Sequence, residues 1–285
     1  MQILDGKGLS AKIKDELKSE IDAYVQTPIL AVISIGDNEA SKVYVKNKKQ
    51  ACEYVGMSFM YFNYASDVKE KIVINKIKEL NKDKSVNGII LQLPIPENYD
   101  VNKLINTIDP EKDIDGLTFI SQGKLYNNHD TLIPCTPKGI MELLKYYNID
   151  LTSKNVVIVG RSNLVSKPLY SLCLKNNATV TMCHTKTKDL KEYTKRADIL
   201  IVATGHKYLI DKSMVKKDAV IVDVGITREN SKLYGDVNPD VKEVCSYLTP
   251  VPGGVGPMTV AMILKNTFEA YKKQHGVVDI MSLNK

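Results

Sequence analysis

The 285-residue chain has no run approaching the roughly 18 apolar residues that a membrane span requires. Its N-terminus, MQILDGKGLSAKIKDE, carries charges where a signal peptide would have its apolar stretch, so a cytoplasmic protein is expected. Cysteine is sparse and odd in number. Cys52, Cys135, Cys173, Cys183 and Cys245 are scattered and never spaced as a metal knuckle or a redox pair, so they read as reduced, buried thiols and no metal site is expected. There is no long basic block. The formal charge of +6 is diffuse, which suits an anionic ligand and argues against nucleic acid. Internal repeats and low-complexity segments are also missing, and a hydrophobic content of 44% fits a globular chain with room for two ordinary domains.

What is present is an alternation of helix and strand. Ile13, Leu17, Ile21 and Val25 recur every four residues after Ser10, which predicts an amphipathic helix capped by Ser10. ILAVISIG then reads as a strand, EASKVYVKNKKQACEYVG as a helix stopped at Gly56, and MSFMYFNY as a second strand. VKEKIVINKIKEL is helical, and VNGIILQLPIP is a strand ended by Pro94 and Pro96. Continuously apolar strands between helices imply a parallel sheet covered on both faces.

The pattern restarts near Pro134. In CTPKGIMELLKYYN, Thr136 is the expected N-cap, Pro137 suits the first turn, and Ile140, Leu143, Leu144 and Tyr147 form one apolar face. This helix is expected to join two domains. Strand NVVIVG, helix SKPLYSLCLKNN, strand ATVTMCH, helix DLKEYTKRA and strands DILIVAT and AVIVDVG follow. A last helix, GPMTVAMILKNTFEAYKKQ, starts at Pro257 and is expected to return to the first domain.

The stretch VVIVGRSNLVSKPL opens as a dinucleotide-binding unit does, with a buried strand, a glycine turn and a helix. The full fingerprint has three glycines. Here only Gly160 is present, with Ser162 and Val165 in the other two places, so on the motif alone a plain strand-to-helix turn serves as well. Pyrophosphate is expected at the helix N-terminus near Ser162. About 20 residues beyond the first glycine an NAD-binding fold carries an acidic residue for the ribose. This chain has Cys183, His184, Thr185 and Lys186 there, and Arg161, Thr185 and Lys186 suit an extra phosphate, which favours NADP over NAD.

In SKVYVKNKKQAC, Tyr44 and Lys48 lie four apart and share a helix face. Taken alone, such a pair reads as a surface tyrosine covering a lysine stem. Three other stretches point the other way: LQLPIP sets Gln92 at the C-terminal end of a buried strand, EKDIDGL sets Asp113 and Asp115 beside a glycine turn, and PVPGGVGPMT is a Pro/Gly loop opening a helix. The bare backbone of that loop, Pro252, Gly253 and Gly254, suits close approach to a flat ligand, although a rigid connector would look the same.

With SKVYVKNKKQAC, GIILQLPIP, PEKDIDGLT, PCTPKG, VIVGRSNLVSKPL, ATVTMCHTKT, ADILIVATG, GDV and TPVPGGVGPMTVAMILKNT in order, the chain resembles the bifunctional methylenetetrahydrofolate dehydrogenase/cyclohydrolase family nearly end to end. The resemblance implies an α/β protein of two domains with the active-site cleft between them. One is an N-terminal folate-binding and catalytic domain over 1–136, joined by the C-terminal helix 257–285; the other is a Rossmann-like NADP-binding domain over 137–256. It implies Lys48, Tyr44, Gln92 and Asp115 as catalytic, folate held by these four with Pro252, Gly253 and Gly254, and NADP held by Gly160, Arg161, Ser162, Thr185 and Ile226. Ser166 and Thr185 stand where the family usually has glycine and serine. A homodimer and tetrahydrofolate one-carbon substrates, polyglutamylated forms included, are also implied.

The implied chemistry matches the residue types. Oxidation of a methylene carbon between two folate nitrogens needs positioning more than a base, whereas hydrolysis of the resulting methenyl cation needs a proton carrier. Lys48 is the expected carrier, oriented by Gln92. A free lysine titrates near 10.4, so desolvation against Tyr44 beside a cationic substrate is expected to lower it. Tyr44 is expected to stack on the aminobenzoyl ring and Asp115 to accept hydrogen bonds from the pterin. Two alternatives stay open at this point: another two-domain NADP oxidoreductase of the shikimate dehydrogenase type, and a noncatalytic folate- or nucleotide-binding protein.

Overall fold

The computed structural model describes residues 1–230 and 232–277. The chain opens with β1 (Gln2–Ile3) and α1 (Gly6–Ile21), then alternates through β2 (Ile29–Ile35), α2 (Glu39–Val55), β3 (Ser58–Tyr64), α3 (Glu70–Lys82) and β4 (Gly88–Leu91). Two short helices, α4 (Val101–Ile105) and α5 (Phe119–Tyr126), precede α6 (Cys135–Tyr146). The second half runs β5 (Asn155–Val159), α7 (Ser166–Lys175), β6 (Thr179–Cys183), α8 (Leu190–Thr194), β7 (Ile199–Val202) and β8 (Val220–Asp223). It ends with the hairpin β9 (Thr227–Glu229) and β10 (Lys232–Tyr234), then β11 (Tyr247–Leu248) and α9 (Val255–Gln274).

The chain divides into two compact units. One comprises Lys12–Cys135 with the chain from Val260; the other comprises Met1–Ala11 with Thr136–Thr259. The first unit holds a three-stranded parallel sheet in the order β3-β2-β4. In β2, ILAVISI, six of seven residues are buried, which is the pattern of a central strand covered on both faces. Val73, Ile77 and Leu80 recur at helical spacing on α3 and pack with Ala31, Ile33, Ile89 and Leu91 into one core. Truncating Ile33, which has no exposed surface, to alanine would cost about 2–5 kcal/mol by the usual core deletion.

The second unit holds a six-stranded parallel sheet in the order β1-β11-β8-β7-β5-β6. From β5 the chain steps to β6 on one side and then to β7 on the other. The strand order therefore reverses at β5, and the C-terminal ends of β5 and β7 flank the point where doubly wound sheets take ligands.

Three local expectations change. Helix α1 begins at Gly6, not after Ser10, because the Asp5 carboxylate accepts the Gly8 N–H at 3.0 Å and caps it; Ser10 sits within the helix and donates to the Pro257 carbonyl at 2.9 Å. The helix ends at Ile21, leaving Val25 outside it and exposed. Thr136 lies in the first turn of α6 instead of capping it, and its hydroxyl hydrogen-bonds that of Thr259 at 2.9 Å.

At the domain level, Met1–Ala11, placed by the sequence in the first domain, groups with the six-stranded unit because β1 pairs with β11 at that sheet's edge. Of the C-terminal segment, residues 278–285 lie outside the described residues. No helix among the described residues is long and apolar enough to cross a membrane.

Candidate functional site

On α2 the buried positions include Val45, Lys48, Cys52 and Val55, three or four apart on one face. Asn38 caps the helix start by accepting the Ser41 N–H at 3.0 Å, and Gly56, at φ 80°, ends it in a left-handed turn. Lys48 is thus an amine set into an apolar stripe, with only 6% of its surface exposed. Its Nζ donates to Gln92 Oε1 at 2.8 Å. Gln92 is fixed in turn: its backbone N–H donates to Ile33 O at 2.8 Å, continuing the β2–β4 ladder, and its Nε2 donates to Leu93 O at 2.6 Å. The second bond leaves the amide oxygen, not the nitrogen, facing Lys48. Tyr44, one turn before Lys48, is 42% exposed. Burial pushes the thiol of Cys52 up to about 12, with Lys48 pulling the other way, so this cysteine is an inert part of the stripe.

Asp113 and Asp115 divide their labour. Asp113 is buried and its carboxylate accepts the N–H groups of Leu117 at 3.1 Å and Thr118 at 2.8 Å; burial raises it above the usual carboxylate range against those bonds. Gly116 N–H donates to Asp113 O at 3.0 Å, and Gly116 takes φ 63°, with a Cβ there meeting Leu132 O at 2.6 Å. Asp113 therefore builds the turn, and half-buried Asp115 is the residue the turn presents. The parallel bridge between Ile89 and Asp113 runs this segment alongside β4 toward the end where Gln92 sits. Tyr44, Lys48, Gln92 and Asp115 all belong to the three-stranded unit.

The remaining sequence-predicted residues belong to the six-stranded unit. Gly160 follows β5 at φ 135°, and a Cβ there would lie 2.5 Å from Ala203 O, so only glycine lets the turn lie against the chain leaving β7. Ser162 Oγ accepts the N–H groups of Val165 at 3.1 Å and Ser166 at 3.3 Å, capping α7. Val159 and Cys183 are register partners at the ends of adjacent strands, and Arg161 and Thr185, both exposed, each follow two residues later in the chain. His184 is occupied locally: its Nδ1 accepts the Lys186 N–H at 3.1 Å. Ile226, 43% exposed, follows β8.

Pro252, Gly253 and Gly254 lie in a loop packed on the start of α1, where Lys7 N–H donates to Gly253 O at 2.8 Å and a Cβ on Gly6 would meet Gly254 O at 1.9 Å. Gly253, at φ 108°, needs its backbone freedom. The sequence reading assigned no role to Asp223 and Asp236, both buried and both accepting several backbone N–H groups. The signal for Asp223 was a carboxylate closing the otherwise apolar strand VIVD.

A unit with a nucleotide-type sheet and a glycine turn at its switch point, joined in one chain to a unit carrying a buried lysine–amide pair, defines a two-domain α/β enzyme of the dinucleotide-dependent class. Residues 4–115 match the catalytic domain, and residues 134–275 the NAD(P)-binding domain, of the tetrahydrofolate dehydrogenase/cyclohydrolase family. The bifunctional protein FolD of Mycoplasma mycoides subsp. mycoides is 49% identical over 279 residues, covering 95% of this chain and 97% of that one. The crystal structure of FolD, methylenetetrahydrofolate dehydrogenase/cyclohydrolase, from Campylobacter jejuni superposes with a TM-score of 0.94 at 45% identity, covering 96% of this chain and 99% of that one. FolD of Trypanosoma brucei, crystallised with NADP cofactor and inhibitor, gives 0.90 at 32% identity, with 94% and 96% covered. The chain belongs to the tetrahydrofolate dehydrogenase/cyclohydrolase family. It is a bifunctional folate enzyme, which sets aside a shikimate-type dehydrogenase and a noncatalytic binding protein.

Proposed function

We propose that the protein oxidises methylenetetrahydrofolate to methenyltetrahydrofolate with NADP and hydrolyses that product to formyltetrahydrofolate, with Lys48 as the proton carrier of the second step. The observation that carries this reading is the buried Lys48–Gln92 contact. Its partner is a neutral amide and not a carboxylate, so the pair is an oriented amine instead of a structural ion pair. In hydrolysis, water adds to the cationic methenyl carbon and loses a proton. As the ring C–N bond then breaks, the departing nitrogen gains a proton and the added hydroxyl gives up its own to become the formyl oxygen, one proton being released overall, and a single amine in reach of these groups serves the transfers. Gln92 holds the amine in place. Tyr44, half in solvent one turn away, offers a ring face to the aminobenzoyl group. Asp115, lifted on its turn, accepts hydrogen bonds from the pterin. Pro252, Gly253 and Gly254 supply bare backbone to the folate.

The coenzyme reading rests on the residues after β5 and β6. Gly160 lets the turn before α7 lie against the chain leaving β7, and Ser162, whose oxygen already accepts two N–H groups, keeps its hydroxyl hydrogen for a phosphate oxygen. Arg161 and Thr185 each follow the end of one of the paired strands β5 and β6 by two residues, and no carboxylate stands after β6 where an acidic ribose ligand would, which suits a 2′-phosphate. Ile226 adds an exposed apolar contact. When bound, the coenzyme accepts the hydride from the folate methylene. Arg161→Ala should weaken NADP far more than NAD, by about 1–3 kcal/mol for loss of a charge-assisted contact. Equal loss for the two coenzymes in a binding titration would refute the assignment.

Two wider readings complete the proposal. The buried, widely scattered cysteines support a reducing, cytoplasmic setting, and the diffuse positive charge supports polyglutamylated substrates. A homodimer is supported by β3, an edge strand whose Tyr61 is 42% exposed and stacks with Phe59. Light scattering should return twice the chain mass, and a monomer at micromolar concentration would remove the dimer from this reading. The whole reading is tested by following NADPH and methenyl absorbance together with methylenetetrahydrofolate as substrate. Absence of NADPH formation would overturn it.

A further inference from the structure

Two carboxylates outside the residues assigned so far lie under the loops that follow β7 and β8. Asp223 ends β8 and is 4% exposed; Asp236 is completely buried. Asp223 Oδ1 accepts the N–H of Asp236 at 2.9 Å and of Gly225 at 3.2 Å, and its Oδ2 accepts the N–H of Val237 at 3.0 Å. Asp236 reaches the other way. Its Oδ2 accepts the Thr204 N–H at 2.6 Å, the Thr204 hydroxyl at 2.9 Å and the Gly205 N–H at 3.1 Å.

The arrangement is reciprocal. A Cβ at Gly225 would lie 1.9 Å from Asp236 Oδ1, and a Cβ at Gly235 would lie 1.8 Å from Asp223 Oδ2, so each carboxylate is seated on a glycine beside the other aspartate. Burial pushes Asp223 up to about 7, against the N–H groups that stabilise its charged form. Asp236 Oδ1 is buried without a hydrogen-bond partner. Such burial is expensive, and a fold keeps it where the geometry it imposes is needed.

That geometry joins two loops. Asp236 holds Thr204–Gly205 after β7, Asp223 and the seat on Gly225 hold the turn after β8, and the Thr227 hydroxyl closes the bridge by donating to Gly205 O at 3.1 Å. The first loop leaves the C-terminal end of β7, which flanks the switch point; the second leaves the same end of its neighbour β8 and carries Ile226. We infer that Asp236 is a positioning residue for the coenzyme, locking the loop at Thr204–Gly205 to the loop at Gly225–Ile226 so that both present a fixed surface to the nicotinamide half. It touches neither coenzyme nor folate. The inference rests on the coenzyme reading given under Proposed function.

Hydrolysis of supplied methenyltetrahydrofolate consumes no coenzyme and therefore reports whether the variant is folded. Asp236→Ala should weaken NADP binding, measured by titration calorimetry, about tenfold, the scale of one lost set of hydrogen bonds to a charged group. It should also lower dehydrogenase kcat while the KM for methylenetetrahydrofolate and the hydrolysis rate stay at wild-type values. Asp236→Asn retains an acceptor oxygen for Thr204 and Gly205 and should restore most of the affinity. Thr204→Val, a milder change that deletes one of the three donors, should weaken NADP by a smaller factor, and it decides the matter if Asp236→Ala is insoluble. Unchanged NADP affinity in the soluble variants overturns the inference. So does a parallel fall in coenzyme binding and hydrolysis, which would make the carboxylate a general structural group. Absence of NADP binding by the wild-type protein would instead overturn the coenzyme reading itself.

Discussion

Lys48→Met should lower hydrolysis of supplied methenyltetrahydrofolate by about 100-fold or more, the usual scale for a general acid–base residue, while leaving measurable dehydrogenase activity. The two reactions ask different things of the site. Hydride leaves a carbon whose own nitrogens stabilise the product cation, so geometry suffices; hydrolysis needs a group that carries a proton. Methionine keeps most of the lysine stem within the stripe formed by Val45, Cys52 and Val55, so packing on α2 is spared. The methenyl product should then accumulate during oxidation. The rate must be corrected for spontaneous hydrolysis of the cation and taken at saturating substrate. A folded variant that hydrolyses the cation at the wild-type rate would remove Lys48 from the mechanism.

Asp115→Ala should reduce both activities together, by about 10- to 100-fold in kcat/KM, because it removes a charged acceptor common to both substrates. NADP affinity should not change. The substitution is a clean one: Asp113, not Asp115, accepts the Leu117 and Thr118 N–H groups that shape the turn, so the backbone survives the loss of the second carboxylate. Asp113→Ala, by contrast, should destabilise the fold. If folate binds the folded Asp115→Ala protein with wild-type affinity, Asp115 does not contact the pterin.

The central strands were legible because burial on both faces leaves no alternative to an unbroken apolar run: IIL in β4 and VVIV in β5 could be read at sight. The Tyr44–Lys48 pair was legible as one face of a helix, but its depth was not. Only the meeting of α2 with the end of β4, 44 residues away, turns a surface lysine into a buried amine held by Gln92. The start of α1 was misread for a physical reason. Its apolar repeat begins at Leu9 and Ile13, whereas its cap is Asp5, which lies before any repeat is visible. Strands β1 and β11 have two residues each and carry no period; their pairing is set by the sheet edge they complete. Asp223 and Asp236 show the same limit, since each is buried for the sake of a backbone segment distant in sequence.

The two units are interleaved along the chain, and this constrains how the protein can be made. The six-stranded unit takes its edge strand β1 from Gln2–Ile3, ahead of the whole three-stranded unit, yet that strand's partner β11 is Tyr247–Leu248, after that unit's Lys12–Cys135. The three-stranded unit is nearly complete by Cys135 but lacks α9, whose Phe268 and Tyr271 pack edge-on against Tyr24. Synthesis at about 5–20 residues per second therefore leaves the earlier unit without its final helix for several seconds while the later one is still being added. Neither unit can close in order of emergence from the ribosome. A nascent chain arrested before Val260 should expose the apolar surface around Tyr24 to chaperones, and release of the C-terminal helix is the event that completes the three-stranded unit.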